Sequence, residues 1–153
     1  MQVRPVQVPA ELDFVRALFQ EYWTSFGFTP CFQDFAAEVS GLPGSYALPD
    51  GRLAVAFADD EAAGCIALRR FDAERAEAKR LYVRPAFRGR GIGRLLLDWV
   101  ISEARAAGYK EVLGDTMPGM VEALGMYARA GFDRTGPYSA SPTPGAIYLR
   151  LRL

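Results

Sequence analysis

Residues 88–93, Arg-Gly-Arg-Gly-Ile-Gly, constrain the fold more than any other stretch of the chain. A strand-like segment precedes them, Lys79-Arg80-Leu81-Tyr82-Val83, and a helix-like one follows, Leu95-Leu96-Leu97-Asp98-Trp99-Val100-Ile101. A glycine-rich turn that opens a helix leaves main-chain N–H groups without intrahelical acceptors, and the helix dipole adds positive potential at the same place. Such a turn suits a phosphate or pyrophosphate. The lack of side chains at Gly89, Gly91 and Gly93 lets the backbone come close to the anion.

The charge pattern agrees. No acidic residue lies between Glu77 and Asp98, whereas Lys79, Arg80, Arg84, Arg88, Arg90 and Arg94 all do. The chain as a whole carries 18 basic and 18 acidic residues, so the island is local. A general nucleic-acid binder more often carries a global positive excess, and no nucleic-acid partner is expected. The plainer alternative is a solvated helix start with ordinary surface arginines. Three glycines count against it, because they cost helix propensity without a packing gain.

A length of 153 residues predicts a single domain spanning 1–153. No apolar run is long enough to span a membrane, and the first residues, Met1-Gln2-Val3-Arg4-Pro5, lack the apolar core of a secretory leader. Cys31 and Cys65 stand apart and read as free buried thiols, which predicts a cytoplasmic protein. The chain has no histidine. That excludes Ser-His-Asp and Cys-His catalysis and any histidine metal site, so no metal is expected. Proton transfer falls to carboxylates, tyrosine, lysine, cysteine or water.

Periodicity and turn residues predict strands at 2–8, 52–58, 63–70, 76–83, 111–115, 132–135 and 146–151. Helices are predicted from Pro9/Glu11 onward, over 33–39, from Gly91 to Gly108, and from Pro118 to Gly131. The order βααβββαβαββ points to an α/β mixed sheet with helices on both faces. It is not the regular alternation of a doubly wound fold.

With those motifs in that order, the sequence resembles the GNAT superfamily of acetyl-CoA-dependent N-acetyltransferases. Its signature, Arg/Gln-x-x-Gly-x-Gly/Ala, is met by Arg88, Gly91 and Gly93. A second block, Ala123-Leu124-Gly125-Met126-Tyr127-Ala128-Arg129-Ala130-Gly131-Phe132, looks like the family's later helix with its tyrosine and terminal Gly-Phe. The resemblance implies acetyl-CoA as cosubstrate. The N–H groups of Arg88, Gly89, Arg90, Gly91, Ile92 and Gly93 would hold its pyrophosphate. The main chain of Leu81, Tyr82 and Val83 would pair with the pantetheine arm as an added strand and supply an N–H to the thioester oxygen. The family's fourth and fifth strands splay apart to admit the thioester. Many members carry an asparagine seven residues before the tyrosine; here Met120 stands there, and its thioether cannot supply the amide's donor and acceptor. Dimers are common in the superfamily, so the resemblance allows a homodimer.

Acetyl transfer to an amine needs a neutral nitrogen. A lysine-like amine, pKa about 10.4, is neutral in roughly one molecule per few thousand at pH 7, a deficit of about 4–5 kcal/mol. A placed base contributes about 10²–10⁴ in rate. Glu77, eleven residues before Arg88, matches the glutamate base of the histone-acetyltransferase branch. Extended alternation would put it on one face with Leu81 and Val83, where an apolar setting would raise its pKa. It could equally pair with Lys79 or Arg80. Tyr127 matches the family's acid, with a hydrogen bond to the departing sulfur as its expected contribution; the same residue could be a core aromatic. Asp115 could orient an amine or act as an alternative base. Tyr22, Trp23, Phe26, Phe28 and Tyr138 are candidates for the wall of an acceptor pocket, or for plain core. The acceptor expected is a small-molecule or peptide amine.

Two other readings remain at this level. Gly91-x-Gly93 with Asp115 22 residues beyond Gly93 is near a dinucleotide-binding pattern, although Leu96 replaces its third glycine. A non-catalytic acyl-CoA-binding regulatory domain would keep the loop but have no use for Glu77 and Tyr127.

Overall fold

The computed structural model describes residues 1–25, 35–139 and 144–153. The expected element order is present. Strand β1 (Gln2–Pro5) is followed by helices α1 (Leu12–Ser25) and α2 (Phe35–Ser40). Strands β2 (Arg52–Ala58), β3 (Glu61–Arg70) and β4 (Arg75–Val83) come next. Helix α3 (Ile92–Ala106), β5 (Glu111–Thr116), α4 (Val121–Arg129), β6 (Asp133–Thr135) and β7 (Ile147–Arg152) complete the chain.

The strands form one mixed sheet in the order β1-β2-β3-β4-β5-β7-β6. Only β4 and β5 run parallel, as the intervening α3 crossover requires. Ile92, Leu96, Leu97, Val100, Ile101 and Ala104 recur at helical spacing along α3 and are buried against one face of the sheet. Tyr127 of α4 and Phe132 join that core. Leu12, Val15, Leu18, Phe19 and Trp23 of α1 pack on the opposite face with Phe35 and Val39 of α2. Helices on both faces explain why β3 is apolar and buried almost throughout.

Several boundaries differ from the sequence expectation. The first strand ends at Pro5, because β2 begins at Arg52 and the ladder runs out after Val6 N–H donates to Leu53 O at 2.9 Å. The chain then turns: Glu11 accepts both guanidinium nitrogens of Arg4 (2.8 and 2.6 Å) and the Gln7 N–H (2.8 Å), which delays α1 to Leu12. Helix α4 starts at Val121 rather than Pro118, after a turn in which Met120 N–H donates to Met117 O (2.9 Å).

Two irregularities in the sheet position the site. The first is a bulge in β4. Cys65 pairs with Tyr82 and Ala67 with Lys79, so Arg80 and Leu81 together oppose Ile66. Arg80 takes a left-handed φ of 61°. The bulge slips the alternation by one residue. Glu77 and Lys79 therefore share a face with Arg80 and Tyr82, toward α1 and α2, whereas Leu81 and Val83 pack into the α3 core. The expectation that Glu77 shares a face with Leu81 and Val83 is corrected by this extra residue. The second irregularity is a gap. The β4–β5 ladder runs from Arg75↔Glu111 to Ala78↔Gly114 and stops, although both strands continue. Asp115 and Thr116 then pair only with Tyr148 and Ile147 of β7. This is the splay that the family resemblance implied.

Candidate active site

A cavity of about 580 Å³ joins the glycine-rich loop to the gap between β4 and β5. The loop begins after the short turn Pro85–Phe87. Gly89 (φ 80°) and Gly91 (φ 79°) are both left-handed, a conformation that costs other residues roughly 1–2 kcal/mol. Open space surrounds each, so the two glycines serve the backbone path. Gly93 has a different job: a β-carbon there would lie 2.8 Å from Met126 Cε, so it lets α3 and α4 approach. The first main-chain bond of α3 runs from Leu95 N–H to Gly91 O (3.1 Å). Among the described residues, no backbone carbonyl accepts from the N–H groups of residues 89–94.

The basic island is less free than its composition suggests. Arg80 is held by Glu38, Arg84 by Glu21, Arg90 by Asp59 and Arg94 by Asp98. Lys79 faces Glu77 and Asp115. Arg88 alone of the six has no acidic partner among the described residues; its Nε donates to Val83 O at 2.9 Å. Leu81, Tyr82, Val83, Arg88, Gly89, Gly91, Ile92 and Gly93 all line the cavity, as does Tyr127. The side chain of Arg90 turns instead to Asp59, across the exposed surface.

Tyr127 reaches the gap from α4. Its ring packs edge-on to Phe132 (5.0 Å between centroids) and lies over Gly114 of β5. The hydroxyl makes no hydrogen bond among the described residues. Burial raises its pKa, and nearby Tyr22, Asp115 and Glu77 raise it further, so the phenol holds its proton at neutral pH. Met120 lines the same cavity and accepts the Thr116 hydroxyl proton at Sδ (2.9 Å).

Glu77 sits beside the gap without lining it. It is 2% exposed. Oε1 accepts from Arg69 Nε (2.8 Å) and Oε2 from the Tyr138 hydroxyl (2.7 Å), with Lys79 Nζ 3.6 Å away. Burial alone would raise its pKa, but Lys79, Arg69 and the Tyr138 hydroxyl together lower it. The raised value expected from the sequence is thus reversed, because the bulge delivers Glu77 to cations rather than to an apolar face. Asp115 is placed differently. It lies where β5 leaves β4, lines the cavity and keeps a quarter of its side chain exposed.

The aromatic candidates separate. Tyr22 lines the cavity, and burial raises its pKa to about 12. Tyr138 is tied to Glu77 and packs edge-on against Phe71 and Tyr148. Trp23 is core, stacked on Phe35 at 4.2 Å. Phe26, Phe28 and Cys31 lie outside the described residues. Cys65 is buried and free; its thiol contacts Arg80 O at 3.3 Å. Lys79, which the sequence offered only as a partner for Glu77, lines the cavity. Its signal was present: Glu77 and Lys79 are charged residues that alternate with the alanines Ala76 and Ala78 in β4.

The Acetyltransferase (GNAT) family profile matches residues 12–132. An uncharacterized N-acetyltransferase of Schizosaccharomyces pombe is 34% identical over 155 residues, covering 100% of this chain and 95% of that protein. An IAA acetyltransferase of Azospirillum brasilense is 36% identical over 106 residues, 67% of this chain and 69% of the relative. In fold, the chain superposes on an acetyltransferase from Streptococcus agalactiae with TM-score 0.83, at 19% identity, over 99% of this chain and 98% of the other. An acetyltransferase from Salmonella typhimurium, solved with its cofactor acetyl-CoA, gives TM-score 0.77 at 17% identity, over 99% and 93%. The fold is that of the acetyltransferases. The chain belongs to the GNAT family and is an N-acetyltransferase. Among the described residues, no helix is long and apolar enough to cross a membrane.

Proposed function

We propose that the chain moves an acetyl group from acetyl-CoA to a primary amine of a small molecule or peptide, by direct attack within a ternary complex. One observation carries the reading: Gly89 and residues 91–94, whose N–H groups find no backbone acceptor among the described residues, line the same cavity as Asp115 and Tyr127. Those donors, two left-handed glycines with open space beside them, and Arg88, which has no acidic partner among the described residues, fit a diphosphate. Residues 88–93 would hold it, and the main chain of Leu81, Tyr82 and Val83 would take the arm beyond it. When bound, acetyl-CoA supplies the acyl group as an activated thioester.

The protein's own groups do the proton work. Asp115 is the cavity-lining carboxylate at the β4–β5 gap, whereas Glu122, which also lines the cavity, lies in the first turn of α4; Asp115 therefore receives the acceptor's ammonium and takes its proton, directly or through water. The amine then forms the N–C bond as the C–S bond breaks, and its second proton passes, directly or through water, to the departing sulfur, so that coenzyme A leaves as the thiol. Tyr127 donates a hydrogen bond to the departing sulfur; its raised pKa favours donation over full proton loss. Glu77, saturated by Arg69 and Tyr138, supports this arrangement by fixing the strand beside Lys79.

The test is thiol release from acetyl-CoA across an amine panel, beside calorimetry with acetyl-CoA. Asp115→Asn is expected to lower kcat about 10²-fold or more while leaving acetyl-CoA affinity intact. If acetyl-CoA binds but no amine releases thiol, the regulatory-domain reading replaces this one.

A further inference from the structure

We propose that the acceptor amine also carries a carboxylate, and that Lys79 and Asp115 read the two charges as a pair. The inference rests on the acetyl-transfer reading above and adds to it the chemical class of the acceptor. Lys79 is 8% exposed and lines the cavity at the β4–β5 gap. Burying an ammonium is costly unless it is both paired and hydrogen-bonded. Here the pairing is loose. Nζ lies 3.6 Å from Glu77 Oε2 and 3.8 Å from Asp115 Oδ1, and both distances exceed those of N–H···O bonds. The three donors of the ammonium therefore have no hydrogen-bond acceptor among the described residues.

The neighbouring cations differ. Arg69 is bonded to Glu77 at 2.8 Å, and Arg80 grips Glu38 through two bonds of 2.8 and 2.9 Å. Their charges are spent on the protein. Lys79 retains donor capacity, and it faces the same space as the carboxylate that would receive the amine.

Charge balance selects the ligand. Arg69, Lys79, Glu77 and Asp115 sum to zero. A plain alkylamine or a diamine would bring its cation against the Lys79 ammonium, a like-charge contact. An amino-acid-like zwitterion places its ammonium on Asp115 and its carboxylate on Lys79, and the site stays neutral. The carboxylate then supplies charge-assisted acceptors to the idle donors.

The experiment compares the common α-amino acids with their carboxamides and their decarboxylated amines, reading thiol release. The wild-type protein is expected to favour at least one amino acid over both partners by about ten- to a hundredfold in kcat/KM. Lys79→Met should shrink that preference to about threefold or less, and Lys79→Arg should retain most of it. An acetyl-CoA-induced rise in melting temperature verifies that each variant is folded. If Lys79→Met does not fold, the wild-type selectivity decides alone. Equal or better turnover of amines lacking the carboxylate, or an undiminished preference in folded Lys79→Met, overturns the inference and leaves acetyl transfer standing. Failure of wild-type protein to bind acetyl-CoA overturns the underlying reading instead.

Discussion

Tyr127 packs against Gly114: a β-carbon on that glycine would sit 3.6 Å from the tyrosine's Cε1 and 3.8 Å from its hydroxyl oxygen. Helix and strand thus meet at the point where the β4–β5 ladder ends at Ala78↔Gly114. A methyl group fits at those distances, but a branched side chain does not. Gly114→Ala should keep kcat within about threefold, whereas Gly114→Val should displace the phenol and lower kcat by at least an order of magnitude, given that misplacing a reacting group by about 1 Å can cost 10²-fold. Steady-state kinetics on the two variants checks this. Equal activity in both would detach the tyrosine from the chemistry.

The hydroxyl itself gives a second prediction. Burial raises the Tyr127 pKa, so the phenol stays protonated across neutral and mildly alkaline pH. Activity should therefore show no alkaline loss from this group below about pH 10, the ordinary tyrosine value. Tyr127→Phe preserves the ring's contact with Phe132 and removes only the donor. It should lower kcat about 10²-fold, with acetyl-CoA affinity nearly unchanged. Comparable losses in both quantities would mark a packing role.

The loop can be tested by charge alone. Gly91 has φ 79° and open space beside it. Asn and Asp both tolerate left-handed φ better than other side chains, and their shapes nearly match. Gly91→Asn should bind acetyl-CoA with a modest loss. Gly91→Asp should lose about a hundredfold or more, because it sets a carboxylate among the donors meant for a diphosphate. Calorimetry in low salt resolves the difference; equal affinities would remove residues 89–94 from cofactor binding.

These relationships were legible in the sequence to different depths. The loop was readable because glycine alternation at a helix start has a local cause, the need for left-handed φ and unpartnered N–H groups. Tyr127 was readable from its place before Gly131-Phe132. The surroundings of Glu77 were not. Its face depends on the bulge at Arg80, and Arg80 is a poor left-handed residue that no local pattern announces. The bulge is stabilised from far away in sequence, by Glu38 of α2 and by the Trp23 ring 4.9 Å below the guanidinium. Counting alternate positions through it sends Glu77 to the wrong face and hides Lys79. Gly93 shows the same limit on a smaller scale: the sequence offered it for the approach of a phosphate, but not the room it also makes for Met126.

The bulge's dependence on Glu38 predicts a non-additive mutant cycle. Arg80 and Glu38 make two charge-assisted bonds, and the arginine is 6% exposed. Removing Glu38 alone leaves a guanidinium buried without its anion, an effect worth about 3–5 kcal/mol. Glu38→Leu should therefore destabilise more than the double variant Glu38→Leu, Arg80→Met, which leaves no orphaned charge. Urea unfolding of the single and double variants reads the coupling. Additive losses would mean that the pair contributes nothing specific to holding α2 over β4.

Glu77 gives the last prediction, through acid stability. Lys79, Arg69 and the Tyr138 hydroxyl outweigh burial and lower its folded-state pKa below the unfolded value of about 4.3. Between those two values the unfolded chain binds the extra proton. Stability therefore rises with pH across that window, is fully present above it, and is lost as pH falls through the folded pKa. Glu77→Gln cannot take up the proton, so its stability should change less steeply with pH below about 4.3 than that of the wild type. It also leaves Arg69 and Lys79 without their shared anion, so the variant should be less stable at pH 7 as well. Urea midpoints measured from pH 3 to 7 test both parts. A variant with the wild-type acid slope would show that the carboxylate's cationic neighbours do not control its titration, and the proposed division of labour between Glu77 and Asp115 would lose its basis.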